Sequence, residues 1–343
     1  MIIKLNKKVV EKYLLEKEMN IAAAQSLFDY CFYTRDVTIK NHKKEIIDYL
    51  ELNLENDEDK YFYNSRIEPA IKEISSDDYK NNYYRIHINP TPYKNKQYEL
   101  KYLSFKPYQC LPYEDVKISK NFVETSQIGY FLQEFKYLAV LKNDVVWMST
   151  DPNEINTMRD SINAANGNVL AFGLGLGYYP IMCAIKDNVK SVTVVEKDQA
   201  IIDIFNKHIL PLFEFKNKIK IVRADAFDFA KKDLSSLDYL FIDIWHNPED
   251  GLPLYLRFKK LLKNKQIKVA YWLEKSILAM YRRCLLTVVE ESLLGYKDSN
   301  YMKAKNDYDR IINDLYFKTK NVVINKENDL IKILQDNYLL KLV

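Results

Sequence analysis

The sequence predicts an α/β fold whose central unit is a parallel sheet with helical crossovers, preceded by an α+β domain and followed by a helical extension. Three observations carry this prediction. From residue 168 onward, apolar strand-like runs alternate regularly with helix-like runs. The chain has only seven glycines, and three of them fall within five residues, at Gly173, Gly175 and Gly177. Acidic residues then close the second and fourth strand-like runs and follow the third, at Glu196, Asp243 and Asp225. Regular strand-helix alternation places neighbouring strands parallel, because each crossover helix returns the chain to the same end of the sheet.

Taken in order, residues 1–80 read as mainly helical. VVEKYLLEKEMNIAAAQSLFDYCF and HKKEIIDYLELNL carry apolar residues at helical intervals, and the charged stretch Asn53–Lys60 reads as a loop. YYRIHI and QYELKYLSF read as strands, with NPTPYKNK supplying turn chemistry between them. IGYFLQEFKYLAVLKNDVVWMS reads as a strand pair turning near Lys142–Asp144. Thr150 and Asp151 before Pro152 mark the start of a helix that runs to Gly167. NVLAFG, SVTVVE, KIKIVRAD, LDYLFIDIW and QIKVAYWLE are then five strands separated by helices. Beyond 275 the chain reads as helical, with no clear pair of closing strands. The expected units are residues 1–125, 126–275 and 276–343.

Composition narrows the function classes. The 343 residues are 48% hydrophobic and 29% charged, as in globular proteins that bury a sizeable core. A formal charge of +4 gives no broad electrostatic footprint for nucleic acid. The basic runs Lys40–Lys44 and Lys259–Lys268 read as solvated helix ends. Cys31, Cys110, Cys183 and Cys284 have no metal-ligand spacing, and free thiols are expected. No apolar run approaches the roughly 18 residues of a membrane span, and MIIKLNKKVV lacks the apolar core of a signal peptide. A cytoplasmic protein acting on a small molecule is therefore the expectation, with no metal. Homo-oligomerisation stays open.

The glycine cluster is the strongest chemical signal. A ligand packed on a strand-helix turn leaves no room for Cβ atoms, and some turn residues need positive φ. A dinucleotide fingerprint is G-x-G-x-x-G, but position 178 is Tyr178 and the pattern here is G-x-G-x-G. That spacing suits a nucleoside without phosphates. Glu196, nineteen residues after Gly177, can accept both hydroxyls of a ribose. Asp225 fits two roles, acceptor for an adenine amine or N-cap of the following helix. Asp243 lies where a carboxylate can stabilise positive charge or take a proton from an attacking amine. Trp245 fits a pocket wall or plain packing, and His246 fits a general base or a surface donor. Glu249 and Asp250 make that loop acidic.

These elements, in this order and spacing, resemble class I S-adenosylmethionine-dependent methyltransferases over about 168–275, and within them the spermidine-synthase-like branch. The residues before the glycine loop, Ala171 and Phe172, are apolar as in that branch. The resemblance implies a Rossmann-like methyltransferase domain that binds S-adenosyl-L-methionine through Gly173, Gly175, Gly177, Glu196, Asp225 and Asp243. Leu174, Tyr178, Lys197 and Ala226 belong to the same expected donor set. Asp243 and His246 are the expected catalytic groups. Trp245 and Glu154 are the expected substrate contacts, Glu154 lying on the helix that follows the strand-rich segment in that branch. Two departures stand out. Polyamine synthases carry a second carboxylate in the run after strand four, where this chain has Asp243-Ile244-Trp245-His246-Asn247-Pro248. The Asn/Asp-Pro-Pro-Tyr run of many amine methylases is missing too. Methyl transfer to a small molecule is the leading expectation. Aminopropyl transfer and non-catalytic nucleoside binding are the alternatives.

Overall fold

The computed structural model describes residues 1–301 and 303–343. Its centre is a five-stranded, wholly parallel sheet of β9 (Gly167–Phe172), β10 (Val189–Glu196), β11 (Ile219–Arg223), β12 (Tyr239–Ile242) and β13 (Lys268–Tyr271). The spatial order is β11-β10-β9-β12-β13. The chain therefore builds outward from β9 to one edge, then crosses to β9's other side. This is the Rossmann-like arrangement, and it leaves a crevice at the carboxyl ends of β9, β10 and β12. The crossovers are α6 (Tyr178–Ala184), α7 (Gln199–Ile204), α8 (Ala226–Ala230) and α9 (Pro248–Leu262). Burial on both faces explains why these strands read as continuous apolar runs; all four residues of β12 are buried.

Before this sheet come β1 (Ile2–Ile3), α1 (Lys7–Tyr33), α2 (His42–Tyr49), α3 (Asp57–Phe62), β2 (Ile71–Glu73), α4 (Tyr83–His87), β3 (Tyr93–Lys94), β4 (Tyr98–Phe105), β5 (Leu111–Ile118), β6 (Glu124–Tyr130), β7 (Phe135–Lys142), β8 (Val145–Ser149) and α5 (Pro152–Ala164). After it come α10 (Glu274–Leu293), α11 (Asp307–Thr319), β14 (Val323–Ile324), α12 (Glu327–Leu334) and α13 (Asp336–Leu339). The tail adds no strand to the parallel sheet among the described residues. Its β14 pairs instead with β1.

Three expectations need correction. YYRIHI is the helix α4, not a strand. Asn82 accepts the Arg85 amide as its cap, and buried Tyr84 anchors it, so a local cap overrides an alternating pattern. The charged stretch expected as a loop contains the start of α3. Asn56 caps it, and Asp57, Glu58 and Asp59 fill the first turn, where negative charge meets the positive end of the helix dipole. The boundary expected at 125/126 cuts through β6, whose partners are β2 and β5. β7 and β8 pair onward from β4, so the strand-rich unit extends to Ser149. Its β5, rich in polar residues, escaped the sequence reading.

A candidate nucleoside cleft

The carboxyl ends of β9, β10 and β12 open into a cleft of about 630 Å³. Its lining includes Gly173, Leu174, Gly175, Tyr178, Glu196, Lys197, Asp225, Ala226, Asp243, Trp245, His246 and Glu154. Of the expected donor, catalytic and substrate residues, all but Gly177 line this one space.

The three glycines prove to have different reasons. Gly173 has φ +95°, and a Cβ there would lie 1.9 Å from the backbone oxygen of Asp243. Gly177 has φ +74°, and its Cβ would lie 2.1 Å from the Phe205 ring. Both positions are bare so that the protein can pack on itself. Only Gly175, at φ +52°, has no atom within 4 Å of its missing Cβ. The expectation that the whole loop is bare for a ligand narrows to this residue, and Gly177 leaves the contact set.

Glu196, at the end of β10, is turned into the loop. Its Oε2 accepts the Leu174 amide at 3.1 Å and its Oε1 the Asp198 amide at 2.8 Å. Each oxygen keeps a lone pair for a further donor, so the carboxylate both fixes the loop and can hold hydroxyl groups. Asp225 performs the capping role. Its Oδ1 accepts the Phe227 and Asp228 amides at 2.8 and 3.1 Å. Its other oxygen makes no hydrogen bond among the described residues and faces the same cleft through an exposed side chain.

The strand-rich unit holds the loop from above. Tyr84 donates its hydroxyl hydrogen to the Leu176 carbonyl at 2.5 Å, and Asn82 donates to the Tyr178 hydroxyl at 2.8 Å. The buried Tyr178 is thus a bridge between units as well as a cleft wall. On one flank Tyr98 donates to Asp198 at 2.7 Å, with the Lys142 ammonium 4.0 Å from the same carboxylate. On the other, the Trp147 ring meets His246 edge-on at 4.4 Å. The β7–β8 hairpin thereby touches the loops after both β10 and β12. Lys142, Trp147 and Asp198 were missed in the sequence, since nothing local to 142–147 signals contact with 198 or 246.

The loop after β12 is firmly built. Asn247 caps α9 in a reciprocal box with Asp250. Asp250 also accepts the His246 amide, and its Oδ2 lies 3.0 Å from His246 Nδ1. Exposed His246 is thus held at the rim. Trp245 is buried, and its indole N–H donates to the Trp272 carbonyl at 3.2 Å. Its ring edge lines the cleft, but its polar atom is spent on packing.

Asp243 and Glu154 are different. Neither carboxylate has a hydrogen bond or ion pair with the protein among the described residues. Burial, and secondarily the Glu196 charge, pushes Asp243 up to about 7. Burial, then Asp243 and Asp151, push Glu154 well above the usual carboxylate range. In the folded protein both therefore hold protons to higher pH than in the unfolded chain. Their contribution to stability is present at low pH and is lost as pH rises through the folded value, about 7 for Asp243. Comparing wild type with Asp243→Asn in urea should show this. The stability advantage of the variant should grow between pH 5 and about 8; an unchanging difference would contradict the shift.

No family model matches the chain, and no curated protein matches it in sequence. Solved structures give distant likenesses. One is TrmK from M. capricolum in complex with the natural cofactor product S-adenosyl-homocysteine, at 19% identity over 33% of this chain and 48% of that one, TM-score 0.26. Another is spermidine synthase from Thermotoga maritima, at 15% identity over 44% and 58%, TM-score 0.31. A third is a spermidine synthase in complex with the transition-state analogue AdoDATO, at 14% identity over 44% and 58%, TM-score 0.30. The chain thus spans only about half the length of the solved structures it resembles. Likenesses this distant carry nothing about chemistry, which rests on the cleft's own residues.

Proposed function

We propose that the chain is an S-adenosyl-L-methionine-dependent transferase, with methyl transfer to a small molecule as the leading reaction. The observation that carries this is one juxtaposition. The open glycine of the loop, Gly175, and the inward-turned Glu196 carboxylate line the same cleft at the switch point of a parallel sheet.

The residues present fit the donor. Gly175 leaves the space that a Cβ would fill, Glu196 has lone pairs for ribose hydroxyls, and the uncommitted oxygen of Asp225 suits an exocyclic amine. Tyr178, buried where a dinucleotide fingerprint needs its last glycine, argues against a pyrophosphate. Bound S-adenosylmethionine would supply a methyl group already activated by its sulfonium. The protein's work is then alignment and exclusion of water. Asp243 supplies negative charge for a cationic centre and a proton acceptor at its carboxylate. The β7–β8 hairpin borders that region, with Val146, Trp147 and Met148 in the cleft wall.

Aminopropyl transfer from the decarboxylated donor is the second reading. It is favoured by Glu154 and Asp243 together, since both line the cleft and, among the described residues, no cation is paired with either acid that a ligand carboxylate could take as its partner. Calorimetry with S-adenosylmethionine, S-adenosylhomocysteine, the decarboxylated donor and NAD separates the readings. Methyl transfer expects the first two to bind at least tenfold more tightly than the others. Preference for the decarboxylated donor would select aminopropyl transfer. Binding of NAD without S-adenosylhomocysteine would overturn both.

A further inference from the structure

We propose that the solvent face of α1 is the seam of a homodimer, in which the α1 helices of two copies of this chain pair antiparallel about a two-fold axis. The inference is independent of the transferase reading, since α1 supplies none of the residues that line the cleft.

The spacing along α1 is the first argument. Its inner face is Val10, Tyr13, Asn20, Ala23, Leu27 and Tyr30, all buried. On another face Glu18, Ile21, Gln25, Phe28, Phe32 and Arg35 are all exposed. They follow one another by three, four, three, four and three residues, the heptad spacing of a helix–helix seam. The stripe runs about 25 Å, from mid-helix into the turn after α1. Ile21, Phe28 and Phe32 are 45%, 52% and 43% exposed. The two phenylalanine rings meet edge-on at 4.8 Å, so the apolar surface between them is contiguous. A helix with two apolar stripes calls for a partner on each.

The second argument is that the stripe is complementary to its own reverse. A two-fold interface needs this, because residue i meets j and j meets i. With the axis between Ser26 and Leu27, Glu18 faces Arg35 of the second copy, Ile21 faces Phe32 of the second copy, and Gln25 faces Phe28 of the second copy. The other half of the seam repeats these pairs. Gln25 donates its amide to Asp29 at 3.0 Å, which leaves its methylenes for the facing ring.

Charge gives the third. Glu18 and Arg35 stand at opposite ends of the stripe, and neither has a salt bridge among the described residues. Arg35 is nonetheless held in place. Its guanidinium lies over the Phe32 ring at 4.0 Å, and its carbonyl accepts the Lys106 ammonium at 2.9 Å. Antiparallel pairing joins these unlike charges at both ends of the seam. Parallel pairing in register would set each charge on its like, which disfavours it.

The test is sedimentation velocity on the full chain between about 1 and 100 μM. The wild type is expected to move from the mass of one chain, 40.7 kDa, toward twice that mass as concentration rises. Phe28→Glu should raise the dimer dissociation constant roughly thirtyfold or more, since the seam would bury the added charge. Glu18→Arg alone should raise it roughly tenfold by setting two arginines together at both ends. Adding Arg35→Glu to Glu18→Arg should restore the wild-type value to within about threefold. Within one chain the two positions lie about 25 Å apart, so rescue can come only from contact between copies. An unchanged far-ultraviolet circular dichroism spectrum reports an intact fold in each variant. A wild type that keeps the mass of one chain up to about 100 μM would overturn the proposal and leave the stripe to a different partner. A dimer indifferent to Phe28→Glu would overturn it too, because another face must then join the copies. A dimer weakened by Phe28→Glu but not rescued in the double variant would overturn the antiparallel register.

Discussion

Gly173→Ala should cost roughly 3–5 kcal/mol of folding stability, a large part of the roughly 5–15 kcal/mol that holds a typical domain. The new methyl would meet the Asp243 carbonyl oxygen at 1.9 Å, and that oxygen belongs to backbone just past the end of β12, which cannot swing aside. The backbone angle of +95° adds strain that only glycine escapes. Gly175→Ala is the instructive control. Its methyl meets nothing within 4 Å, so the fold should lose only about 1–2 kcal/mol for a left-handed non-glycine residue. Its effect should fall on ligand affinity instead. Urea unfolding and calorimetry with S-adenosylhomocysteine, run on both variants, separate the roles. Equal unfolding midpoints would mean that the strand ends are not packed as described.

Glu196→Ala should weaken S-adenosylhomocysteine binding by about 1–3 kcal/mol, the scale of lost charge-assisted hydrogen bonds. Two losses combine in it. The ligand loses its partner for the ribose hydroxyls, and the Leu174 and Asp198 amides lose the oxygens that order the loop. Glu196→Gln keeps one acceptor oxygen but must turn an NH₂ toward one of those amides. It should therefore fall between wild type and alanine. Calorimetry decides, and an affinity unchanged in both variants would remove Glu196 from the site.

Much of the parallel unit was legible because its signals are local. A strand buried on both faces is apolar along its length, and a tight strand-helix turn with positive φ favours glycine in a chain that otherwise uses it sparingly. Glu196, Asp225 and Asp243 could be placed because strand ends are countable. Which glycine faces a ligand was not legible. That answer depends on Phe205 and on the backbone of Asp243, each many residues away. The same holds for Trp147 against His246 and for Lys142 beside Asp198, pairings fixed by how the hairpin lies across the sheet. The sequence registered the missing second carboxylate after strand four, and it suggested Glu154 as a substrate contact. Only the folded chain brings the two acids to one cleft, since they lie on α5 and at the end of β12. YYRIHI shows the opposite failure: six residues alternate like a strand, while one asparagine cap and one buried tyrosine make them helical.

The grip of Tyr84 and Asn82 on the glycine loop has a thermodynamic consequence. The floor on which a nucleoside would rest is shared property of two units, since the Leu176 carbonyl and the Tyr178 hydroxyl are satisfied from α4 and its cap. Occupancy and interdomain docking therefore become linked equilibria: whatever tightens one tightens the other by the same free energy. The unit that carries no part of the glycine loop should melt later when that loop is filled.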